Sequence, residues 1–177
     1  MATINDNIFF VGLMGAGKTT IGKLLAKKLK KTFYDTDHEI EERCGADIPW
    51  IFDVEGEEGF RLREHKVLHD ICESAPAVIA TGGGIIMRGD NRALLREHGV
   101  AVYLHATVNQ QLNRTGKDRS RPLLNKGDPK TVLTDLMTTR DPLYREAAKV
   151  VFPTDNKNPR ATAVDIAKAV MSIIEAD

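Results

Sequence analysis

The amino-acid sequence predicts an α/β fold in which helices flank a parallel β-sheet. Short apolar runs alternate along the 177 residues with longer segments of helical periodicity, as in a parallel sheet with crossover helices. A glycine-rich loop lies between the first apolar run and the first helical segment, where such folds bind phosphate groups. No repeat or long linker interrupts the alternation, so residues 1–177 are predicted to form one domain.

Five short apolar runs are predicted to form the strands. Runs of this length, bounded by polar or turn-forming residues, are typical of buried strands in a parallel sheet. They are Ile8–Val11, Thr32–Tyr34, Ala77–Ala80, Val100–His105 and Val150–Phe152.

The segments between the strands have the apolar spacing of helices. The first, Lys18–Lys31, has an apolar stripe of Ile21, Leu24, Leu25 and Leu29 with lysines on the opposite face. The other predicted helices are Glu57–Glu73, Arg92–Glu97, Asp128–Ala148 and Asp165–Ile174.

Two segments are expected to depart from regular helix. Pro142 lies within Asp128–Ala148, and the residue before a proline is biased away from helical geometry, so we expect a break near Asp141. Gly116–Asp128 is rich in charged residues, glycine and proline and has no apolar period. It is predicted to be a mobile loop.

The charge balance, the apolar segments and the cysteines indicate which partners and which cellular compartment to expect. Lys plus Arg and Asp plus Glu both total 25, giving a net charge of zero, which argues against a nucleic-acid partner and permits a monomer. Ile8–Val11 is too short for a signal-peptide core or a membrane span. Cys44 and Cys72 lack metal-binding spacing and are expected to be free thiols. We therefore expect a cytoplasmic protein without a membrane partner.

Residues 12–19, GLMGAGKT, match the phosphate-binding pattern G-x-x-x-x-G-K-[ST]. The glycines allow backbone N–H groups to surround phosphate oxygens, and the positive end of the following helix faces the same anion. Lys18 is expected to reach the β- and γ-phosphates, and Thr19 to offer its hydroxyl to Mg²⁺. A turn that only caps a helix is the alternative. A guanine-specific switch is disfavoured, because residues 156–159, NKNP, lack the final acid of Asn-Lys-x-Asp.

Asp35 and Asp37 follow the second predicted strand. Residues i and i+2 of an extended chain point the same way, so both carboxylates are predicted to face the crevice at the carboxyl ends of the strands. One is expected to hold water on Mg²⁺ and the other to accept hydrogen bonds from substrate hydroxyls. Alternatively, Asp37 only caps a helix over His38–Arg43.

Three glycines and three arginines are further candidates. Gly82, Gly83 and Gly84 directly follow the third predicted strand and permit close approach of backbone to a ligand, unless they form only a flexible turn. Arg61, Arg121 and Arg140 suit an anionic acceptor if they converge on one cleft, whereas a single arginine is usually a surface residue.

Taken together, these motifs resemble the shikimate kinase family nearly end to end. The matching residues are GLMGAGKT at 12–19, DTD at 35–37, FRLRE at 60–64, GGG at 82–84, RPLL at 121–124 and RDPLY at 140–144. The resemblance implies ATP-dependent phosphorylation of the 3-hydroxyl of shikimate, in aromatic amino-acid biosynthesis. It also implies a P-loop kinase fold with strand order 2-3-1-4-5, a lid at about 116–128 and a substrate-binding part at about 36–65.

The resemblance further implies a role for each matching residue. Lys18, Asp37 and Arg121 would be catalytic, with Asp37 on the ring hydroxyls and Arg121 on the transferring phosphoryl group. The substrate would contact Asp37, Arg61, Arg140 and the backbone of Gly82, Gly83 and Gly84, while Thr19 and Asp35 would serve Mg²⁺. ATP would contact Gly12, Gly15, Ala16, Gly17, Lys18, Thr19, Thr20, Arg114, Arg121, Lys157 and Pro159, with adenine between Arg114 and the Pro159 region.

Two other functions stay open on the sequence. A gluconate kinase would also phosphorylate a hydroxylated acid on this type of fold. A nucleotide-binding regulatory module that has lost turnover would keep the phosphate loop.

Overall fold

The computed structural model describes residues 6–116, 124 and 127–176. A short 3₁₀ helix, Ile85–Met87, follows the third strand. The other elements are, in chain order, β1 (Asn7–Val11), α1 (Lys18–Leu29), β2 (Thr32–Asp35), α2 (Thr36–Cys44), α3 (Ile48–Cys72), β3 (Ala77–Ala80), α4 (Gly89–Glu97), β4 (Gly99–His105), α5 (Val108–Thr115), α6 (Pro129–Ala147), β5 (Val150–Pro153) and α7 (Pro159–Ala176).

The five strands form one parallel sheet in the order β2-β3-β1-β4-β5. Each predicted strand is confirmed to within one residue at either end. The central strand β1 is wholly buried and pairs with β3 through Ile8 opposite Val78 and with β4 through Ile8 opposite Val100. The predicted α/β architecture is confirmed, including the strand order.

Each face of the sheet supports its own apolar core. Successive side chains of a strand point to opposite faces, so β1 contributes Phe9 and Val11 to one core and Ile8 and Phe10 to the other. The first core is covered by α2, α3, α4 and α6, and the second by α1 and α7. The sheet is therefore packed on both faces, and the loops that follow β1, β2 and β3 lie at its carboxyl edge.

Asn7 ties three strands together at the opposite edge. Its side chain is buried, its Oδ1 accepts from Ala77 N at 2.9 Å, and its Nδ2 donates to His98 O at 3.1 Å. These bonds link β1 to the start of β3 and to the residue before β4.

The predicted break near Asp141 is wrong, because α6 runs continuously through Pro142. A proline inside a helix removes one backbone hydrogen bond, but side chains of the same turn are held by tertiary contacts. Asp141 Oδ1 accepts from Tyr103 Oη at 2.7 Å, and Arg140 and Tyr144 are buried. These contacts outweigh the local preference.

The helix predicted from Glu57 begins nine residues earlier, at Ile48. Gly56 divides it, with φ of 71° and ψ of 179°, so α3 is two helical segments across a kink. Arg63 of the second segment donates to both carboxylate oxygens of Glu55 in the first, at 2.7 and 2.6 Å. The predicted helix corresponds to the second segment.

The predicted lid lies mostly outside the described residues, which omit 117–123 and 125–126, and Arg121 is among those omitted. No helix within the described part of the chain is long and apolar enough to cross a membrane.

Candidate active site

A cleft of about 510 Å³ opens at the carboxyl ends of β1, β2 and β3. This is the edge at which parallel α/β sheets bind ligands. The predicted site residues that line it are Gly15, Gly17, Lys18, Thr19, Thr20, Asp35, Asp37, Gly82, Gly83 and Arg114. The phosphate loop, the acidic pair and the glycine turn therefore share one cavity.

The phosphate loop connects β1 to α1, and Gly12 and Gly17 are two of its glycines that have positive φ. Gly12 has φ of 147°, and a Cβ there would lie 2.5 Å from Leu104 O. Gly17, the N-cap of α1, has φ of 94°, in the left-handed region that side chains disfavour. The Lys18 ammonium donates to Gly12 O at 2.6 Å and Leu13 O at 2.9 Å. This places its charge over the loop.

Arg114 and Thr154, which lie outside the phosphate loop, donate hydrogen bonds to two of its carbonyl groups. Arg114 Nη1 donates to Gly15 O at 2.8 Å, and Arg114 Nη2 donates to Thr154 O at 2.9 Å. The buried Thr154 hydroxyl donates to Ala16 O at 3.1 Å. These bonds fix the orientation of two peptide planes of the phosphate loop. Thr154 was not among the predicted site residues, since nothing local distinguishes it from any other polar residue after a strand.

Asp35, rather than Asp37, caps α2. Its Oδ1 accepts from the backbone N–H groups of Asp37 and His38 at 3.0 and 3.4 Å. Its Oδ2 accepts from Thr19 Oγ1 at 2.7 Å. The alternative interpretation of Asp37 as the cap is therefore wrong: Asp37 lies in the first helical turn, and its side chain lines the cleft.

Thr19 and Asp35 present a pair of oxygen atoms beside the phosphate loop. Oxygen is the ligand type that Mg²⁺ prefers. The described residues include no group of three or more His, Cys, Asp or Glu that would hold a metal ion unaided. The pair fits an ion whose remaining ligands are phosphate and water oxygens.

Arg61 approaches the cleft from α3 and is held by two glutamates. Its Nη1 donates to Glu64 Oε1 at 2.9 Å, and its Nη2 donates to Glu57 Oε1 at 3.3 Å. Glu64 is fully buried, and its Oε2 has no hydrogen-bond partner among the described residues. Burial raises the pKa of Glu64 to about 7, against the lowering effect of Arg61. Arg61 thus stands beside a carboxyl that can be neutral near pH 7.

The glycine turn after β3 is in close contact with these charged groups. A Cβ on Gly82 would lie 2.6 Å from Glu64 Oε2 and 2.7 Å from Asp37 Oδ1, and one on Gly84 would overlap the Arg61 guanidinium. A Cβ on Gly83 would lie 3.4 Å from Nη1 of the buried Arg140. Both arginines therefore border the turn, and a side chain at Gly82 or Gly84 would collide with the charged groups beside it.

Glu64 and Tyr144 also border the turn but were not among the predicted site residues. The Tyr144 hydroxyl donates to Gly83 O. Both residues belong to motifs that the sequence analysis had noted, FRLRE and RDPLY. The motifs were the available signal, but they did not specify what the two side chains contact.

Lys157 and Pro159 do not line the cleft. Pro159, the first residue of α7, borders a shallow groove of about 550 Å³ with Lys23, Leu24, Asn158 and Arg160. Thr20 lines both the groove and the cleft, so the groove adjoins the phosphate loop. Lys157 is exposed on the loop between β5 and α7.

Comparison with known proteins agrees with this geometry. The family model described as shikimate kinase matches residues 14–171. A shikimate kinase of Pseudomonas paraeruginosa is 58% identical over 160 residues, covering 90% of this chain and 93% of the relative. One of Hahella chejuensis is 56% identical over 164 residues, covering 93% and 85%.

The fold is likewise similar to a solved structure of this family. Shikimate kinase from Acinetobacter baumannii, solved in complex with shikimate, superposes with a TM-score of 0.94 at 47% sequence identity. The match covers 96% of this chain and 95% of that one. With its phosphate loop, acidic pair and arginine-bordered glycine turn in one cleft, this chain belongs to the shikimate kinase family.

Proposed function

We propose that this protein transfers the γ-phosphoryl group of ATP to the 3-hydroxyl of shikimate, forming shikimate 3-phosphate. One observation carries the proposal beyond family membership. The phosphate loop forms one wall of the cleft, and Asp37, Gly82 and Gly83 form another. Arg61 and Arg140 do not line the cleft but lie against the glycine turn. A triphosphate and a small hydroxylated acid would therefore meet in the same cavity.

At the nucleotide end, the backbone of Gly12–Thr19 would surround the phosphates, with Lys18 on the β- and γ-phosphates. Thr20 lies just beyond, in the first turn of α1. The Arg114 guanidinium, held by Gly15 O and Thr154 O, would cover one face of adenine. Pro159, and Lys157 beside it, would form the opposite side.

At the acceptor end, Arg61 and Arg140 would bind the carboxylate of shikimate, since guanidinium groups match carboxylates in charge and geometry. Asp37 would accept hydrogen bonds from the ring hydroxyls and take the proton of the reacting hydroxyl. In a loose phosphoryl-transfer transition state that proton leaves late, so orientation of the hydroxyl is the larger part of this role.

Thr19 and Asp35 would serve Mg²⁺, with Asp35 acting through water. When bound, the ion neutralises charge on the β- and γ-phosphate oxygens. Arg121 lies outside the described residues, and its assignment to the transferring phosphoryl group rests on the RPLL sequence alone.

A coupled assay of ADP release tests the proposal. The protein is supplied with ATP, Mg²⁺ and, in separate reactions, shikimate, gluconate or nucleoside monophosphates. We expect stimulation by shikimate alone, and formation of shikimate 3-phosphate confirmed by mass spectrometry. Absence of stimulation by shikimate above background ATP hydrolysis would refute the function. Stimulation by gluconate instead would indicate a gluconate kinase. If no acceptor stimulates ADP release, the protein is a regulatory module without turnover.

The monomeric state and the cytoplasmic location expected from the sequence are proposals too. Light scattering at assay concentrations and cell fractionation would test them.

A further inference from the structure

Two buried tyrosines stack in the core beneath the glycine turn, and their hydroxyls point to different partners. Tyr103 of β4 and Tyr144 of α6 have ring centroids 4.9 Å apart, and both are fully buried. The Tyr103 hydroxyl donates to Asp141 Oδ1 at 2.7 Å. The Tyr144 hydroxyl donates to Gly83 O. Of the two, only the Tyr144 hydroxyl reaches the turn.

The turn needs external supports because three consecutive glycines have large conformational freedom. Two side chains supply them. Gly82 N donates to Thr36 Oγ1 at 2.9 Å, and Gly83 O accepts from Tyr144. The second bond fixes the peptide plane between Gly83 and Gly84, and with it the direction of the Gly84 N–H group.

Arg140 lies beside the same two groups, Gly83 and the Tyr144 hydroxyl. A Cβ on Gly83 would lie 3.4 Å from Arg140 Nη1 and 3.7 Å from the Tyr144 hydroxyl oxygen. Arg140 and Tyr144 are four residues apart on α6, on the same face of the helix, and both are buried. The hydroxyl, the guanidinium and the glycine peptide therefore form one contact cluster.

We propose that Tyr144 is a positioning residue for the acceptor's carboxylate, because it holds the Gly83–Gly84 peptide in register with Arg140. The inference rests on the proposed function, in which Arg140 and the turn bind that carboxylate. Burial raises the pKa of the Tyr144 hydroxyl, against the lowering effect of Arg140, so the hydroxyl stays protonated and remains a donor at neutral pH. If packing were its only role, phenylalanine would suffice at this position.

Tyr144→Phe tests the inference, with Tyr103→Phe as the matched control. Each removes one buried hydroxyl from the same pair of rings together with its hydrogen bonds, which join Tyr144 to Gly83 O and Arg140, and Tyr103 to Asp141 Oδ1 and Met137 Sδ. Tyr144→Phe should raise the KM for shikimate by about tenfold, as expected when the hydroxyl no longer holds Gly83 O and Arg140, and leave the KM for ATP and kcat within about twofold. Tyr103→Phe should leave all three constants within about twofold of the unmodified protein.

A modified acceptor separates positioning from general loosening of the core. With the carboxamide of shikimate, which lacks the negative charge, Tyr144→Phe should change KM by less than about threefold, because a neutral amide draws less on the arginine and the peptide. An equal KM increase for both acceptors, or equal effects of the two tyrosine substitutions, would overturn the inference.

If Tyr144→Phe does not fold, NMR of the unmodified protein provides a second test. The chain contains three tyrosines, so [ζ-¹³C]tyrosine labelling gives three signals. Tyr34→Phe and Tyr103→Phe then assign them by elimination. Saturating shikimate should shift the Tyr144 signal and leave the Tyr103 signal in place; an unmoved Tyr144 signal would overturn the inference. If the unmodified protein does not phosphorylate shikimate, the proposed function fails, whereas an active protein indifferent to Tyr144→Phe refutes only this inference.

Discussion

The buried carboxyl of Glu64 should make the protein less stable as the pH rises from about 4.5 to about 7. Glu64 is fully buried, and burial raises its pKa from 4.5 to about 7. Below about pH 4.5 the group is protonated in both the folded and the unfolded chain. Between 4.5 and about 7 the unfolded chain releases the proton while the folded chain keeps it, so rising pH favours unfolding. Above about 7 the loss is complete.

The size of the effect follows from the two pKa values. Their difference, at about 1.4 kcal/mol for each pH unit, corresponds to on the order of 3 kcal/mol of unfolding free energy. Glu64→Gln isolates this contribution, because glutamine has the shape of the protonated acid and keeps an oxygen for the Arg61 donor. All other titrating groups are common to the two proteins.

Urea unfolding of both proteins from about pH 5 to about pH 8 measures the effect. The free energy of unfolding of Glu64→Gln minus that of the unmodified protein should grow by on the order of 3 kcal/mol over this range. Glu57→Gln is the control, since Glu57 contacts the same arginine at 3.3 Å but its side chain is half exposed. A difference that does not change with pH for Glu64→Gln, or that changes equally for Glu57→Gln, would refute the reasoning.

Three further substitutions probe the two ends of the cleft and the sheet. Asp37→Asn should lower kcat by roughly 10²–10⁴ and leave the Kd for ATP within about twofold, measured by calorimetry; equal losses in both would contradict its assignment to the acceptor. Thr154→Val removes the donor to Ala16 O and should raise the Kd for ATP about fivefold without changing the KM for shikimate; unaltered ATP binding would exclude this support of the loop. Asn7→Ala removes the bonds to Ala77 N and His98 O and should cost about 2–4 kcal/mol in urea unfolding; a loss well under 1 kcal/mol would count against it.

The sheet was predictable because its signal is local. Each strand is a short apolar run that must be buried, and β1 is buried on both faces. The phosphate loop was predictable for the same reason: Gly12, Gly17, Lys18 and Thr19 are consecutive or nearly so, and the geometry they require depends on their own backbone. The order of the strands came from the resemblance rather than from apolar periodicity.

Predictions failed where distant contacts decided the local structure. The proline rule placed a break near Asp141, but α6 continues through Pro142, because burial of Arg140 and Tyr144 and the bond from Tyr103, 38 residues away in sequence, together hold this turn. The i, i+2 spacing of an extended chain predicted that Asp35 and Asp37 both face the cleft, and both residues line it. It did not reveal that Asp35 ends the strand and caps α2.

The sequence by itself therefore determined the sheet, the phosphate loop and the identity of the charged groups, since each depends on residues close together in the chain. Only the tertiary structure decided which side chains hold the phosphate loop, the glycine turn and the charged groups in place. Thr154 reaches Ala16 across 138 residues, Tyr144 reaches Gly83 across 61, and the fully buried Glu64 lies against Gly82 beside Asp37. The physical reason is that burial and hydrogen-bond partnership are properties of the packed chain. A buried carboxyl acquires its raised pKa, and a hydroxyl its partner, only when remote segments exclude water around them.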